Sequence, residues 1–261
     1  MKDPKTYRPT DCAFVEAVND KTFEELNPTL RSLMEKMFGV RLPTDRFHAA
    51  LCDGYEKPDA YVELNDECHF VSLKSGNSKT VHYESIRNFI LYLRSIGITE
   101  RTQKIILLCH YGDGTLTGKG ENRLSAEQTR IRYALLINEA NRELNQKKIV
   151  RQCFQRFIST GSEKRNSRAD YIAYGDPTCY VACSIKSLES LVMGGRYSHI
   201  RTLHIGPMVI SPWCRNAKGP CDTDWKREIV HINWPYLLSD IERVNARLTR
   251  EDYPVNAVTA G

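Results

Sequence analysis

Long apolar runs are missing from this sequence. None approaches the ~20 residues that a helix needs to cross a bilayer, and hydrophobic residues make up only 41% of the 261 positions. A water-soluble globular protein with no membrane partner is therefore expected. The basic-then-apolar opening of a secretion signal is missing too. Nine cysteines are present, but without the regular spacing of a disulfide framework, so free thiols and a cytoplasmic location are expected. Zinc-finger spacing is also absent: Cys179 and Cys183, and Cys214 and Cys221, do not stand as common ribbons or fingers require. Cys179 and Cys183 read more simply as buried free thiols.

A strong overall charge is lacking as well, since Lys and Arg exceed Asp and Glu by only five. The surplus is unevenly placed. Residues 1–114 hold 15 basic and 17 acidic side chains, whereas residues 115–230 hold 19 and 11. A basic section of this kind suits a polyanion-binding surface, because each cation near a phosphate releases condensed counterion; a solvated basic face with no ligand is the other explanation. Candidate phosphate and base contacts are Lys79, Arg165, Arg168, Arg196, Arg201, Arg215 and Lys218. Lys226, Arg227, Tyr197, Trp213 and Trp225 are interspersed with them.

The chemistry is concentrated in one short stretch. Lys57-Pro58-Asp59-Ala60-Tyr61-Val62-Glu63-Leu64 and Cys68-His69-Phe70-Val71-Ser72-Leu73-Lys74 read as a two-stranded hairpin. Successive strand residues face opposite sides, so Ala60, Val62, Leu64, Val71 and Leu73 form an apolar face and Asp59, Ser72 and Lys74 lie opposite. A carboxylate beside an ammonium at a strand end suits a divalent-metal site, with Asp59 and the Leu73 carbonyl as oxygen ligands and Lys74 serving the attacking water. A surface hairpin with a solvated Asp and Lys is the plainer alternative.

Around the hairpin, Asn27-Pro28 predicts a helix N-terminus running to Gly39, and Arg46 to Cys52 a strand. The polar loop Ser75 to Thr80 predicts a helix that ends near Ser95, with Ile86, Phe89, Ile90 and Leu93 on its buried face. Lys104 to His110 carries Ile105-Ile106-Leu107-Leu108-Cys109, read as a doubly buried strand parallel to a neighbour. Tyr111-Gly112-Asp113-Gly114 follows, either as a cleft-lining loop or as a tight turn. Ser125-Ala126-Glu127-Gln128 predicts a capping box, Ile149 to Ile158 an apolar helical stripe ending at Gly161, and Pro235 to Leu248 a closing helix.

The order helix, three strands, helix, strand, with Pro58-Asp59 opening the second strand and Ser72-Leu73-Lys74 in the third, resembles the catalytic core of the PD-(D/E)XK nuclease superfamily over roughly residues 22–112. Serine stands where the family usually has an acid. In this respect the chain is similar to type II restriction endonucleases with a Ser-x-Lys motif, in which the next helix supplies the missing acid. Glu84 is the one carboxylate in the helix expected there, although a helical wheel puts it opposite the buried face. Glu35, on the earlier helix, reads as solvated.

The resemblance implies an α/β protein with a restriction-endonuclease-like core in residues 1–114. Residues 115–261 would then form a mixed α+β half for DNA recognition and dimerisation, packed on the core. It further implies Mg²⁺-dependent cleavage of double-stranded DNA by a homodimer, with a cognate methyltransferase as genetic partner. Asp59, Leu73 and Glu84 would hold the metal, and Lys74 and Ser72 would complete the catalytic set. Two other functions remain open: a defence or repair nuclease acting on structured or single-stranded nucleic acid, and a non-catalytic DNA-binding protein on a nuclease scaffold. An echo of the hairpin, Asp170 to Lys186, offers a second Asp and a second Ser-x-Lys.

Overall fold

The computed structural model describes residues 9–52, 57–75, 79–120, 123–161, 167–197, 202–214 and 224–252, and the protein is a mixed α/β chain. In chain order the elements are α1 (Pro9–Val18), α2 (Pro28–Phe38), β1 (His48–Leu51), β2 (Ala60–Leu64), β3 (Glu67–Lys74), β4 (Thr80–Ser85) and α3 (Ile86–Ser95). Next come α4 (Glu100–Tyr111), α5 (Ala126–Arg132), α6 (Ala134–Leu144), α7 (Lys147–Phe154), β5 (Tyr171–Tyr174), β6 (Val181–Ser184) and α8 (Ile185–Gly194). The last are β7 (His204–Ile205), β8 (Met208–Pro212), β9 (Ile229–Asn233) and α9 (Leu237–Asp252).

The chain divides into two compact units, and neither is continuous in sequence. The first comprises residues 1–78, 163–191 and 236–261, and the second residues 79–162 and 192–235. The single cut expected after residue 114 coincides with none of these junctions.

The first unit is built on a five-stranded sheet in the order β1-β2-β3-β5-β6. β1, β2 and β3 form an antiparallel meander, β5 runs parallel to β3, and β6 turns back against β5. Helix α2 starts where the sequence signals it: the Asn27 side chain accepts a hydrogen bond from Leu30 N at 2.9 Å, with Pro28 at the first helical position. Leu30, Leu33 and Met34 from α2, with Phe14 and Val18 from α1, bury against Val62, Val71, Leu73 and Ala173 of the sheet. That face is apolar because strand residues alternate, which turns Asp59, Ser72 and Lys74 away from it.

The second unit holds an antiparallel sheet in the order β4-β9-β8-β7 together with helices α3 to α7. Two expectations fail here. Residues 80–85 form a strand, not the first turn of a helix. Thr80, Val81 and Tyr83 are strand formers, and Ser85 caps α3 by accepting from Asn88 N at 3.1 Å, so the helix begins only at Ile86. The run at Ile105 to Cys109 is helix α4, not a parallel strand. Thr99 accepts from Thr102 N at its N-cap, Gly112 closes it in the left-handed conformation at φ 64°, and Ile105, Ile106 and Cys109 bury at helical spacing. A five-residue apolar run fits a buried strand or a buried helix equally well; here the flanking caps decide.

Candidate active site

Asp59 is placed by backbone pairing just ahead of β2. Its N–H donates to the Val71 carbonyl at 3.0 Å, and its own carbonyl accepts from Cys52 N at 3.0 Å. This continues the ladder on both sides and fixes the direction of the carboxylate. Asp59 Oδ2 then accepts from Leu73 N at 2.7 Å and from Ser72 Oγ at 3.1 Å, and lies 3.6 Å from Lys74 Nζ. Lys74 Nζ in turn donates to the Leu73 carbonyl at 3.0 Å. The four residues singled out on the hairpin therefore converge on one corner.

They converge out of water. The side chains of Lys74 and Asp59 are 4% and 6% exposed, and Ser72 is fully buried. This excludes the plainer alternative of a solvated surface pair. Burying two charges costs several kcal/mol per ion before their attraction returns it, so a buried pair is poor evidence of a stabilising role. Buried charge gathered at a strand end makes this corner a candidate functional site. Lys57, two residues before Asp59, is likewise only 5% exposed. The hairpin pattern gave no reason to single it out, since a lysine ahead of a strand is ordinarily solvated.

Glu84 belongs to the second unit, on β4, where both carboxylate oxygens are engaged. Arg156 Nη2 donates to Oε2 at 2.7 Å and Arg156 Nε to Oε1 at 3.2 Å, while His82 Nε2 lies 3.2 Å from Oε1. Burial pushes the Glu84 carboxyl up, but the hydrogen bonds and charges of His82 and Arg156 outweigh it and hold the carboxyl below its ordinary value. The Arg156 guanidinium also stacks over the Tyr92 ring, 4.2 Å from its centroid. Arg156 is separated from Glu84 by 72 residues of chain. Nothing local in the sequence marks the pairing.

The second hairpin is β5 and β6, part of the same sheet as the first. Asp170 does not stand beside Lys186 as Asp59 stands beside Lys74. Its Oδ2 accepts from Phe70 N at 2.9 Å, and its N–H donates to the Phe70 carbonyl at 2.7 Å, joining β5 to β3. Lys186 lies in the first turn of α8, because Ser184 ends β6 and accepts from Ser187 N at 3.1 Å. The repeated Ser-x-Lys pattern spans a strand-to-helix boundary here. Among the basic candidates, Arg168 is exposed in the first unit, and Lys79 and Arg196 are exposed in the second. Arg165, Arg201, Arg215 and Lys218 lie outside the described residues.

Among the described residues, no group of three or more His, Cys, Asp or Glu side chains is placed to hold a metal ion. Burial pushes the Cys183 thiol up to about 12, with Lys36 opposing, so thiolate is scarce there at neutral pH. Cys221 is outside the described residues. The Asp113 loop resolves in favour of a tight turn, since its carboxylate accepts from Thr115 N, Thr115 Oγ1 and Gly120 N. No helix among the described residues is long and apolar enough to cross a membrane. Comparison of the chain with protein-family models, curated proteins and solved structures finds no match.

Proposed function

We propose that this protein is a Mg²⁺-dependent nuclease that hydrolyses phosphodiester bonds in DNA, with its site at Asp59, Ser72, Leu73 and Lys74. The observation that carries the reading is the convergence of a carboxylate and an ammonium, 3.6 Å apart and almost wholly buried, at the ends of two paired interior strands. The architecture supports it: α2 precedes a β1-β2-β3 meander, and a later strand, β5, runs parallel to β3. That arrangement fits a restriction-endonuclease-like core in which β5 takes the place expected for residues 104–110.

A magnesium ion is satisfied by one or two carboxylates, with phosphate oxygens and water completing its shell. The Asp59 carboxylate and the Leu73 carbonyl, both within reach of Lys74 Nζ, fit the protein's share of such a shell. When bound, the ion would polarise the scissile phosphate and make bound water more acidic. The protein's own groups do the rest. Leu73 N and Ser72 Oγ hold Asp59 in one orientation. Lys74 brings a poorly screened positive charge to the place where negative charge builds on the phosphate and orients the attacking water. Ser72, standing where the related pattern has an acid, acts as a positioning residue through Asp59. Glu84 lies in the second unit, held by Arg156 and His82, and is left out of the proposed set.

Within this reading, type II restriction is the leading form: a homodimer cutting both strands of a short double-stranded site, with two-fold protein symmetry matching two-fold DNA symmetry. Action on structured or single-stranded nucleic acid is the second form, favoured by exposed aromatic rings in the second unit. Incubating purified protein with plasmid and Mg²⁺, and then with EDTA, separates them. Discrete fragments indicate restriction, a smear a less specific nuclease, and retention without cutting a binding protein on a silent scaffold. Lys74→Ala should lower the cleavage rate by about 10²-fold or more while leaving DNA affinity largely intact; undiminished cutting by that variant would overturn the assignment.

A further inference from the structure

One face of the second unit's sheet carries aromatic rings in the open. Tyr83, His231 and Ser211 are direct cross-strand neighbours on β4, β9 and β8, and such neighbours project from the same face. Trp213 continues that face two residues past Ser211, with its backbone N–H on the Ile229 carbonyl at 3.0 Å. Its ring lies 5.0 Å from the His231 ring and 6.2 Å from that of Tyr83. Trp225 meets Trp213 edge-on at 5.1 Å, and the Lys226 ammonium sits 5.2 and 5.6 Å from the two indole centroids.

These rings are not core. Tyr83, Trp213 and Trp225 are 60%, 40% and 56% exposed, whereas Trp234, the remaining tryptophan, is 1% exposed. A cavity of about 550 Å³ shares Ser211 with the same cross-strand row, although none of the three rings lines it, and Asn233, Lys79, Arg130 and Ile137 also form its wall. Asn233 is held in one orientation there, accepting from Thr80 Oγ1 and donating to Ser211 Oγ, both at 2.8 Å. That volume is in the range that holds a nucleotide-sized ligand.

Charge selects the occupant. The second unit carries 20 Lys and Arg against 10 Asp and Glu, while the first carries 17 against 22. An aromatic surface on a unit with ten surplus positive charges matches a polyanion whose repeating units have flat apolar faces. Duplex DNA hides those faces in its own stack, and an unpaired strand presents them.

We propose that this face binds unpaired nucleotides, with successive bases stacked on Tyr83, Trp213 and Trp225, Lys226 beside their phosphates, and one nucleotide entering the adjoining cavity. This deepens the second form of the nuclease reading, action on structured or single-stranded nucleic acid, by naming the unpaired segment as what the protein recognises. It rests on that reading for the identity of the polymer but not on cleavage.

The test uses the full chain carrying Lys74→Ala, without metal, titrated with a thymidine oligonucleotide of about 12 residues or with a blunt duplex of equal length. Two of the three tryptophans lie in the proposed site, so indole fluorescence reports occupancy directly. Expected are quenching by the single strand and affinity about tenfold or more above that for the duplex. Trp213→Ala and Trp225→Ala should each weaken single-strand binding about 5- to 100-fold with duplex binding unchanged, and Trp213→Phe should retain most of it. A uridine oligonucleotide in parallel distinguishes RNA from DNA as the source of the bases. Equal affinity for the duplex, absence of quenching, or alanine variants indistinguishable from the parent would overturn the proposal, and the last two would point to a protein partner for the rings. Failure of the two readings is separable: single-strand binding by a protein that never cuts removes the nuclease, and cutting without single-strand preference removes the platform.

Discussion

Among the described residues, the Asp59–Lys74 and Glu84–Arg156 ion pairs are both largely buried but differ in character. Asp59 and Lys74 are 3.6 Å apart without a direct hydrogen bond between them, and the lysine instead donates to a backbone carbonyl. Glu84 and Arg156 meet through two guanidinium hydrogen bonds at 2.7 and 3.2 Å, supplemented by His82. In the second pair both carboxylate oxygens are taken up, by the arginine and the histidine together. The second pair should therefore behave as a structural element. Arg156→Leu leaves a buried carboxylate without its main partner and should cost about 3 kcal/mol, roughly 6–12 °C in Tm by thermal denaturation. Changing Glu84→Gln in the same protein should recover more than half of that loss. Because the Glu84 carboxyl is held below its ordinary value, the pair's contribution is full above that ordinary value. It fades as the pH falls toward the lowered one. The destabilisation caused by Arg156→Leu should accordingly be larger at neutral pH than in strong acid, and an equal loss at both would refute the assignment.

At the scale of elements, the informative cases are those where one local pattern supports two structures. Ile105 to Cys109 becomes a helix because Thr99 and Gly112 supply a start and a stop with twelve helical residues between them, which a strand does not need. Residues 80–85 become a strand because β9 lies ready to pair with them, from Thr80 against Asn233 to Ser85 against Ile229. The two Ser-x-Lys sequences diverge for a related reason. Ser72 and Lys74 share a strand face, whereas Ser184 caps α8 and Lys186 is carried into its first turn. Lys186→Ala should therefore leave plasmid cleavage at the parental rate under conditions where Lys74→Ala abolishes it. Loss of cleavage in the Lys186 variant, with the fold intact by circular dichroism, would move the site to the second hairpin.

For the whole molecule, the partition of charge matters more than its total. A net charge of +5 conceals a unit with ten surplus positive charges and another with five surplus negative ones. Association with nucleic acid should accordingly be strongly salt-dependent. A complex neutralising about four phosphates would lose roughly 10²-fold in affinity between about 50 and 200 mM salt. Fluorescence anisotropy across that range measures the slope, and a flat response would exclude the basic unit as the binding surface.

The sequence by itself determined the hairpin and which of its side chains face which way, because a period of two with apolar alternation permits a single buried face. It also determined the start of α2 and the capping box at Ser125, since a cap is written within four residues. Only the tertiary structure decided the rest. The strand parallel to β3 comes from residues 171–174, about 100 positions along the chain, and Glu84 is matched to an arginine 72 residues away. The interleaving of the two units sends one chain through both bodies more than once. The cause is common to all three: pairing between distant segments depends on which surfaces remain to be covered once each segment has folded locally, and local pattern carries no information about that choice.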